Sequence, residues 1–362
     1  MMKNLHLTHT DIFSDSRILK EMGALAAAGY EVSGIGVVLD EGAKKSAIPF
    51  KADISAIQLR SRRMTFLPRT LRHVASLCEF AAKMLPRAIR HRLDLIHCHD
   101  TLVLPLAVVV KLFTRARLVY DAHELESDRN GLTRLQSWLT LYAERLLWRF
   151  VDALIVVSPS IDAWYQDKIG PKPSAIILNS PLISNKTLRE SDYLRRKFSI
   201  PSDQKIFIYV GILGPGRGIG LVTQAFTDPA ITSHVVFLGY GDLADVLKRL
   251  ATAHPNIHVH DAVPHSDVVS IVTSSDFGLC MVQNVSLSDY FCLPNKLFEY
   301  CFAGVPVLAS DFPDIRAVLS EYGIGECCSF EPEALRQAVH LIETTDSKFK
   351  FENLTPFSWQ AQ

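Results

Sequence analysis

The sequence predicts an α/β protein of two halves, each a parallel sheet covered by helices, and two observations predict it. Short apolar runs of strand length alternate with amphipathic stretches of helical period, as expected of strands buried on both faces. The alternation runs twice, before and after a polar, charged stretch at residues 184–204, and a chain of 362 residues exceeds what one core usually serves.

Residues 4–8 read as the first strand, 10–16 as a loop, and a helix then runs to Ala28, where Gly29 stops it. Strands follow at 31–38, 95–98, 117–121, 153–158 and 175–179. The second series lies at 205–212, 234–239, 257–260, 277–281 and 305–310. Right-handed crossovers make each half Rossmann-like, with ligands beyond the carboxyl ends of the strands, in a cleft if the halves face one another.

Composition narrows the function. Hydrophobic residues are 48% and charged residues 21%, as in a globular protein. Lys+Arg and Asp+Glu both number 38, which gives no reason to expect nucleic acid as a partner. The seven cysteines show no paired-ligand spacing, and Cys327 and Cys328 are adjacent, which suits a reducing, cytoplasmic setting. The N-terminus lacks the apolar core of a secretion signal. The longest apolar run, 102–110, is about half of the roughly 20 residues a membrane span needs, so it reads as a buried helix. Any membrane contact is then expected to be peripheral, at the inner face.

Two segments carry candidate chemistry. In residues 209–220, YVGILGPGRGIG, glycines follow an apolar strand and precede a helix. The backbone there can approach a ligand, the helix start favours phosphate oxygens, and Arg217 adds a charged fork suited to a diphosphate. The spacing is not that of a dinucleotide fingerprint. In residues 289–307, DYFCLPNKLFEYCFAGVPV, Pro294 opens a helix and Gly304 closes it. Leu297, Tyr300 and Cys301 share an inward face. Glu299 is a carboxylate in an apolar segment, costly to bury without hydrogen bonds, which a ribose diol or a salt bridge would supply.

In order, these segments resemble the C-terminal half of glycosyltransferase family 4, the retaining GT-B glycosyltransferases. The resemblance extends to residues 19–32, to DLIHCHD at 94–100, VYDAHE at 119–124, VDALIVVS at 151–158, ILN at 177–179 and FLGYG at 237–241. It implies a GT-B fold of two facing Rossmann-like domains, an acceptor-side domain at 1–185 and a nucleotide-sugar domain at 186–362. It also implies transfer of a sugar from a nucleotide diphosphate sugar to an acceptor hydroxyl with retention, without metal or cofactor. The acceptor is expected to be lipid-linked or a glycan, in surface polysaccharide or glycolipid assembly.

By the same resemblance, Arg217 contacts the donor pyrophosphate together with Gly211, Gly214 and Gly218. Glu299 holds the ribose, Leu297 lies in the same donor helix, and the backbone near Ala262 and Val263 meets the base edge. His123 sits beside the transferred sugar. The family's first donor-site glutamate is Phe291 here and the usual arginine after the first glycine is Ile212, so Asn295 and Lys296 are expected to hold the sugar or β-phosphate instead. Arg17 stands in the loop that replaces the N-terminal glycine pair, as a phosphate or acceptor contact. The sequence ends at residue 362, where relatives continue into a helix that crosses back. The alternatives are a catalytically weak sugar-nucleotide-binding subunit of a transferase complex and a GT-B sugar-nucleotide epimerase.

His97 and His99 are read as alternating to opposite faces of a strand, which would prevent them from chelating one metal together. His99 and Asp100 line the acceptor side or serve the structure. Residues 60–92 hold eight arginines and one lysine against Glu79 alone. Leu71, Val74, Cys78, Ala81 and Leu85 form an apolar stripe there, read either as a surface for an anionic membrane or as a domain helix with a solvated basic face.

Overall fold

The apolar runs become parallel strands. The computed structural model describes residues 1–38, 48–66, 68–90, 92–182, 192–345, 349, 351 and 354–362. The chain divides into two units, Met1–Val157 with Ile161–Ile177, and Ser158–Ser160 with Leu178–Gln362. The domain boundary expected at 185/186 lies outside the described residues.

In the first unit the strands are β1 (Lys3–Asp11), β2 (Glu31–Val37), β3 (Asp53–Ile57), β4 (Leu95–His99), β5 (Arg117–Ala122), β6 (Ala153–Val156) and β7 (Ser174–Ile176). Its helices are α1 (Ser16–Ala27), α2 (Arg69–Ile89), α3 (Leu104–Thr114), α4 (Arg134–Leu147) and α5 (Pro159–Lys168). The sheet order is β3-β2-β1-β4-β5-β6-β7, with every pairing parallel. Asp15 caps α1, its carboxylate accepting from the N–H groups of Arg17 and Ile18.

The second unit contains α6 (Tyr193–Phe198), β8 (Ile206–Ile212), α7 (Ile219–Phe226), β9 (His234–Tyr240), α8 (Ala244–Ala253), β10 (Ile257–Asp261), α9 (His265–Val272) and β11 (Phe277–Cys280). It continues with α10 (Leu287–Tyr290), α11 (Asn295–Phe302), β12 (Val307–Ser310), α12 (Pro313–Tyr322), β13 (Gly325–Cys328) and α13 (Pro332–Thr344). Its order is β10-β9-β8-β11-β12-β13, again parallel, with an apolar layer on each face of the sheet. Each sheet reverses direction of growth once, between β1 and β4 and between β8 and β11, and such a switch point is where α/β sheets bind ligands.

The stripe expected to be apolar on α2 is not its packing face. Ser76, Phe80, Met84 and Ala88, four residues apart, point inward, while Leu71, Val74 and Cys78 are exposed and Ala81 and Leu85 half-buried. The C-terminal residues form two short 3-10 turns, and Phe357 packs 4.3 Å from Tyr322 and 5.5 Å from Phe298 between ring centroids. Among the described residues no helix is long and apolar enough to cross a membrane.

Candidate active site

At the switch point of the second unit, β8 ends at Gly211 and Ile212 and the chain turns through residues 213–218 into α7. Gly218 has φ +74°, and a Cβ there would lie 2.4 Å from the carbonyl oxygen of Met281, so only glycine lets this loop rest on the end of β11. Gly214 is buried in the turn, and Arg217, two residues before α7, is exposed.

The next element round the switch point is α11. Lys296, in its first turn, lies along the end of β8: its Cε and Nζ are each 3.8 Å from where a Cβ would sit on Gly211. Its ammonium is 3.5 Å from the Tyr209 ring centroid, a cation–π contact. Asn295 is exposed at the helix mouth, and Leu297, Tyr300 and Cys301 are fully buried, as their spacing predicts. Glu299, one turn beyond Asn295 and Lys296, is buried, and its Oε1 is 3.3 Å from His265 Nδ1. His265 opens α9 after Pro264, which follows the exposed Ala262 and half-buried Val263, so the expected base-edge backbone leads into the partner of the Glu299 carboxylate.

Two buried thiols feel the basic groups. Burial pushes Cys280 up to about 11, against the charge of Lys296. Burial, then Cys280 and Asp289, push Cys292 well above the usual thiol range, against the charge of Arg217. Arg217 and Lys296 thus act on neighbouring thiols from two elements.

Sequence reasoning missed how the switch point is held open. The Tyr300 hydroxyl enters between β8 and β11, accepting from Val210 N–H at 3.0 Å and reaching the carbonyls of Ile208 and Leu279 at 3.2 and 3.1 Å. A Cβ on Gly278 would lie 2.3 Å from this ring. The phenol satisfies backbone groups that would otherwise be buried without partners.

The corresponding end of the first unit is filled by a buried polar network. Residues 97 and 99 are two apart on β4 and therefore share a face, which corrects the parity expected from the sequence. Their rings stack at 4.5 Å, with the His6 ring of β1 4.6 Å from His97. His6 Nδ1 is 2.9 Å from His99 Nε2, and His99 Nδ1 is 3.0 Å from His123 Nε2. Asp121 lies beneath, its Oδ2 3.3 Å from His97 Nε2, 3.5 Å from His99 Nδ1 and 3.6 Å from His123 Nε2.

The charges fix the proton positions. Burial alone would lower His123, but the charges of Asp121 and Asp100 and the bond to Asp121 outweigh it and push His123 up to about 10. Burial, with the charge of His97, brings His99 down to about 3. These shifts favour His123 as the imidazolium and His99 as the neutral ring at neutral pH, in a chain of close ring nitrogens from His123 through His99 to His6. Burial acts on Asp121 too, but Arg17 and His123 hold it well below the usual carboxylate range, while burial and the charge of Asp121 push Glu21 up.

Arg17 is not at the loop surface. It is buried, with Nε 3.1 Å from Glu21, one Nη 3.1 Å from Asp121 and the other donating to the Ile177 carbonyl at 2.9 Å. These partners make it the counter-ion of Asp121, which corrects its expected role as a phosphate or acceptor contact. His99 is likewise fully buried, and its neighbour His123 is partly exposed. Asp100 has φ 68° and ψ 157°, a region nearly restricted to glycine, and its carboxylate lies 3.6 Å from His123 Nδ1 and 3.7 Å from His9 Nδ1. Ligand atoms of His6, Glu21, His97 and His99 come within 4.8 Å of one another, so spacing does not forbid a metal, but the one carboxyl among them, Glu21, already pairs with the Arg17 guanidinium.

Comparisons with known proteins place the two units in a family. Residues 16–180 match the glycosyl transferase 4-like domain and residues 190–351 the glycosyl transferases group 1 family. The chitobiosyldiphosphodolichol beta-mannosyltransferase of Kluyveromyces lactis is 23% identical over 351 residues, covering 86% of this chain and 76% of the relative. Among solved structures, sucrose-phosphate synthase from Thermosynechococcus elongatus has a TM-score of 0.70 at 17% identity, covering all of this chain and 92% of that one. Anabaena HepE in complex with UDP-glucose has a TM-score of 0.69 at 14% identity, covering 95% of this chain and 90% of that one. With two parallel-sheet Rossmann-like domains, the chain belongs to the GT-B glycosyltransferases of family 4.

Proposed function

We propose that this glycosyltransferase takes its sugar from a nucleoside diphosphate donor held at the switch point of the second unit. The carrying observation is the Lys296 ammonium laid over Gly211 with Glu299 one turn further along α11. In this reading Lys296, Arg217 and the backbone of Gly211, Gly214 and Gly218 take the diphosphate, Glu299 the ribose, and Ala262 and Val263 the base edge. Leu297 packs the helix, and Asn295 reaches the sugar. As the diphosphate leaves, charge grows on the β-phosphate, and fixed cations and helix-start N–H groups stabilise it without reorganising.

The reaction runs without metal or other cofactor and with retention. His123, held as an imidazolium, donates a hydrogen bond and favours negative charge near the sugar; it does not serve as a base. Asp100 and His99 position it. The acceptor is lipid-linked or a glycan, a reading supported by the dolichol-linked acceptor in the name of the yeast relative. The exposed guanidinium groups of Arg60, Arg62 and Arg63 and the outward stripe of α2 support a peripheral membrane contact by residues 60–92.

The test measures nucleoside diphosphate released from UDP-, GDP- and dTDP-sugars. One donor is expected to turn over slowly, with Arg217→Ala and Glu299→Ala abolishing release. Unchanged release in both variants would overturn the reading.

A further inference from the structure

Helix α4 carries a buried polar anchor on its inward side and large apolar side chains on its outward side. Its inward side carries a carboxylate: Glu144 is fully buried and accepts from the hydroxyls of Tyr120 at 2.8 Å, Tyr165 at 2.7 Å and Thr101 at 3.1 Å. Its outward side carries Leu135, Trp138, Leu139, Tyr142 and Leu146, all exposed at helical spacing, with Trp138 58% exposed. The Trp138 and Tyr142 rings stack at 5.5 Å, giving a firm aromatic pair. α3, which packs against both α2 and α4, adds exposed Leu112 and Phe113. An exposed apolar surface of this extent on one layer marks an interaction site.

The charges select the partner. Among the described residues, the exposed charged side chains of α2, α3 and α4 are arginines: Arg87, Arg134 and Arg145. The only acids on these helices are Glu79, tied to Lys83 and to the backbone N–H groups of Arg60 and Ser61, and the buried Glu144. A second copy seated on this face by two-fold symmetry would bring arginines toward arginines. An anionic lipid surface instead complements the arginines and receives the leucines, while Trp and Tyr suit the headgroup level.

We propose that the outward face of α4 docks on an anionic membrane, inserting Trp138, Leu139, Tyr142 and Leu146 to headgroup depth. This deepens the membrane contact read for residues 60–92, and it stands on a different helix and a separate observation.

The test is flotation of the full chain with vesicles of equal parts phosphatidylglycerol and phosphatidylcholine, and with phosphatidylcholine alone. The wild type is expected to float with the anionic vesicles only. Replacing Trp138, Leu139, Tyr142 and Leu146 together by Gln should weaken binding at least about tenfold. The melting temperature and nucleoside diphosphate release from a soluble donor should stay unchanged. Should the quadruple variant fail to fold, the pair Arg134→Glu and Arg145→Glu serves as the second variant, with the same loss expected. Vesicles should also blue-shift the tryptophan emission of the wild type but not of Trp138→Phe. No flotation of the wild type, or undiminished flotation of the α4 variants, overturns the proposal. If only Arg60→Glu, Arg62→Glu and Arg63→Glu release the protein, the α4 docking is wrong and the contact of residues 60–92 stands. A concentration-dependent dimer that the α4 variants abolish, without vesicle binding, assigns the face to self-association and also overturns it.

Discussion

The two sheets share one strand order over six strands, β7 extending the first, yet their switch points are filled in opposite ways. In the first unit the carboxyl ends of β1, β4 and β5 carry histidines and carboxylates that bond to one another, and the counter-ion, Arg17, is buried with them. In the second unit the same place is lined by glycine backbone, and the cations stay accessible: Arg217 is exposed and Lys296 half-buried. One scaffold thus gives a charge-compensated network that can orient one partly exposed imidazolium, and a basic surface whose cations stay accessible. What differs is the residues just past the strands, not the fold.

The comparison makes its largest effect a loss of stability in the first unit. Asp121→Ala leaves Arg17 and His123 as buried cations without their shared anion and should cost about 3–5 kcal/mol in denaturant unfolding. A loss under about 1 kcal/mol would mean that the network is not charge-compensated as described.

In the second unit the largest effect should fall on turnover. Arg217→Ala should lower kcat about 10²- to 10³-fold by removing one fixed donor to the leaving diphosphate. Because Arg217 is exposed, its melting temperature should stay near that of the wild type.

A third difference is in pH. His123 is raised in the folded state from 6.5 to about 10, so its contribution to stability is complete below pH 6.5 and is lost as pH rises through 10. His99 is lowered from 6.5 to about 3, so its neutral form contributes above pH 6.5 and stability falls as pH drops toward 3. Thermal melts from pH 6.5 to 10 should show the alkaline loss, and His123→Gln should flatten it.

The smallest effects concern the loop geometry. Tyr300→Phe leaves the Val210 N–H and two carbonyls without the phenol and should cost about 1–3 kcal/mol. At Gly220 a Cβ meets nothing within 4 Å, so Gly220→Ala, inside α7, should be neutral or stabilise by about 0.4–1 kcal/mol.

Most strands were legible in the sequence because a strand buried on both faces must be apolar throughout. β3 and β13 were not, since β3 has one buried residue and β13 reads Gly-Glu-Cys-Cys with none. At the switch point of the second unit, Gly218, Lys296 and Glu299 could be read from their places after a strand and along a helix. His265 could not, because it meets Glu299 only through tertiary packing. The burial of Arg17 had a signal in Glu21 one turn later on α1, but its other anion, Asp121, comes from a distant strand. The Tyr300 wedge depends on where the β8–β11 pairing ends, which is a property of the sheet.

The most direct test of the central claim is calorimetric titration of a nucleoside diphosphate and its parent nucleoside, using the base that the donor screen selects. If the open switch point of the second unit is the anion site, Arg217→Ala with Lys296→Ala should weaken the diphosphate at least about tenfold and leave the nucleoside unchanged. Glu299→Gln should weaken both. Equal diphosphate affinity in the wild type and the double variant would contradict the account.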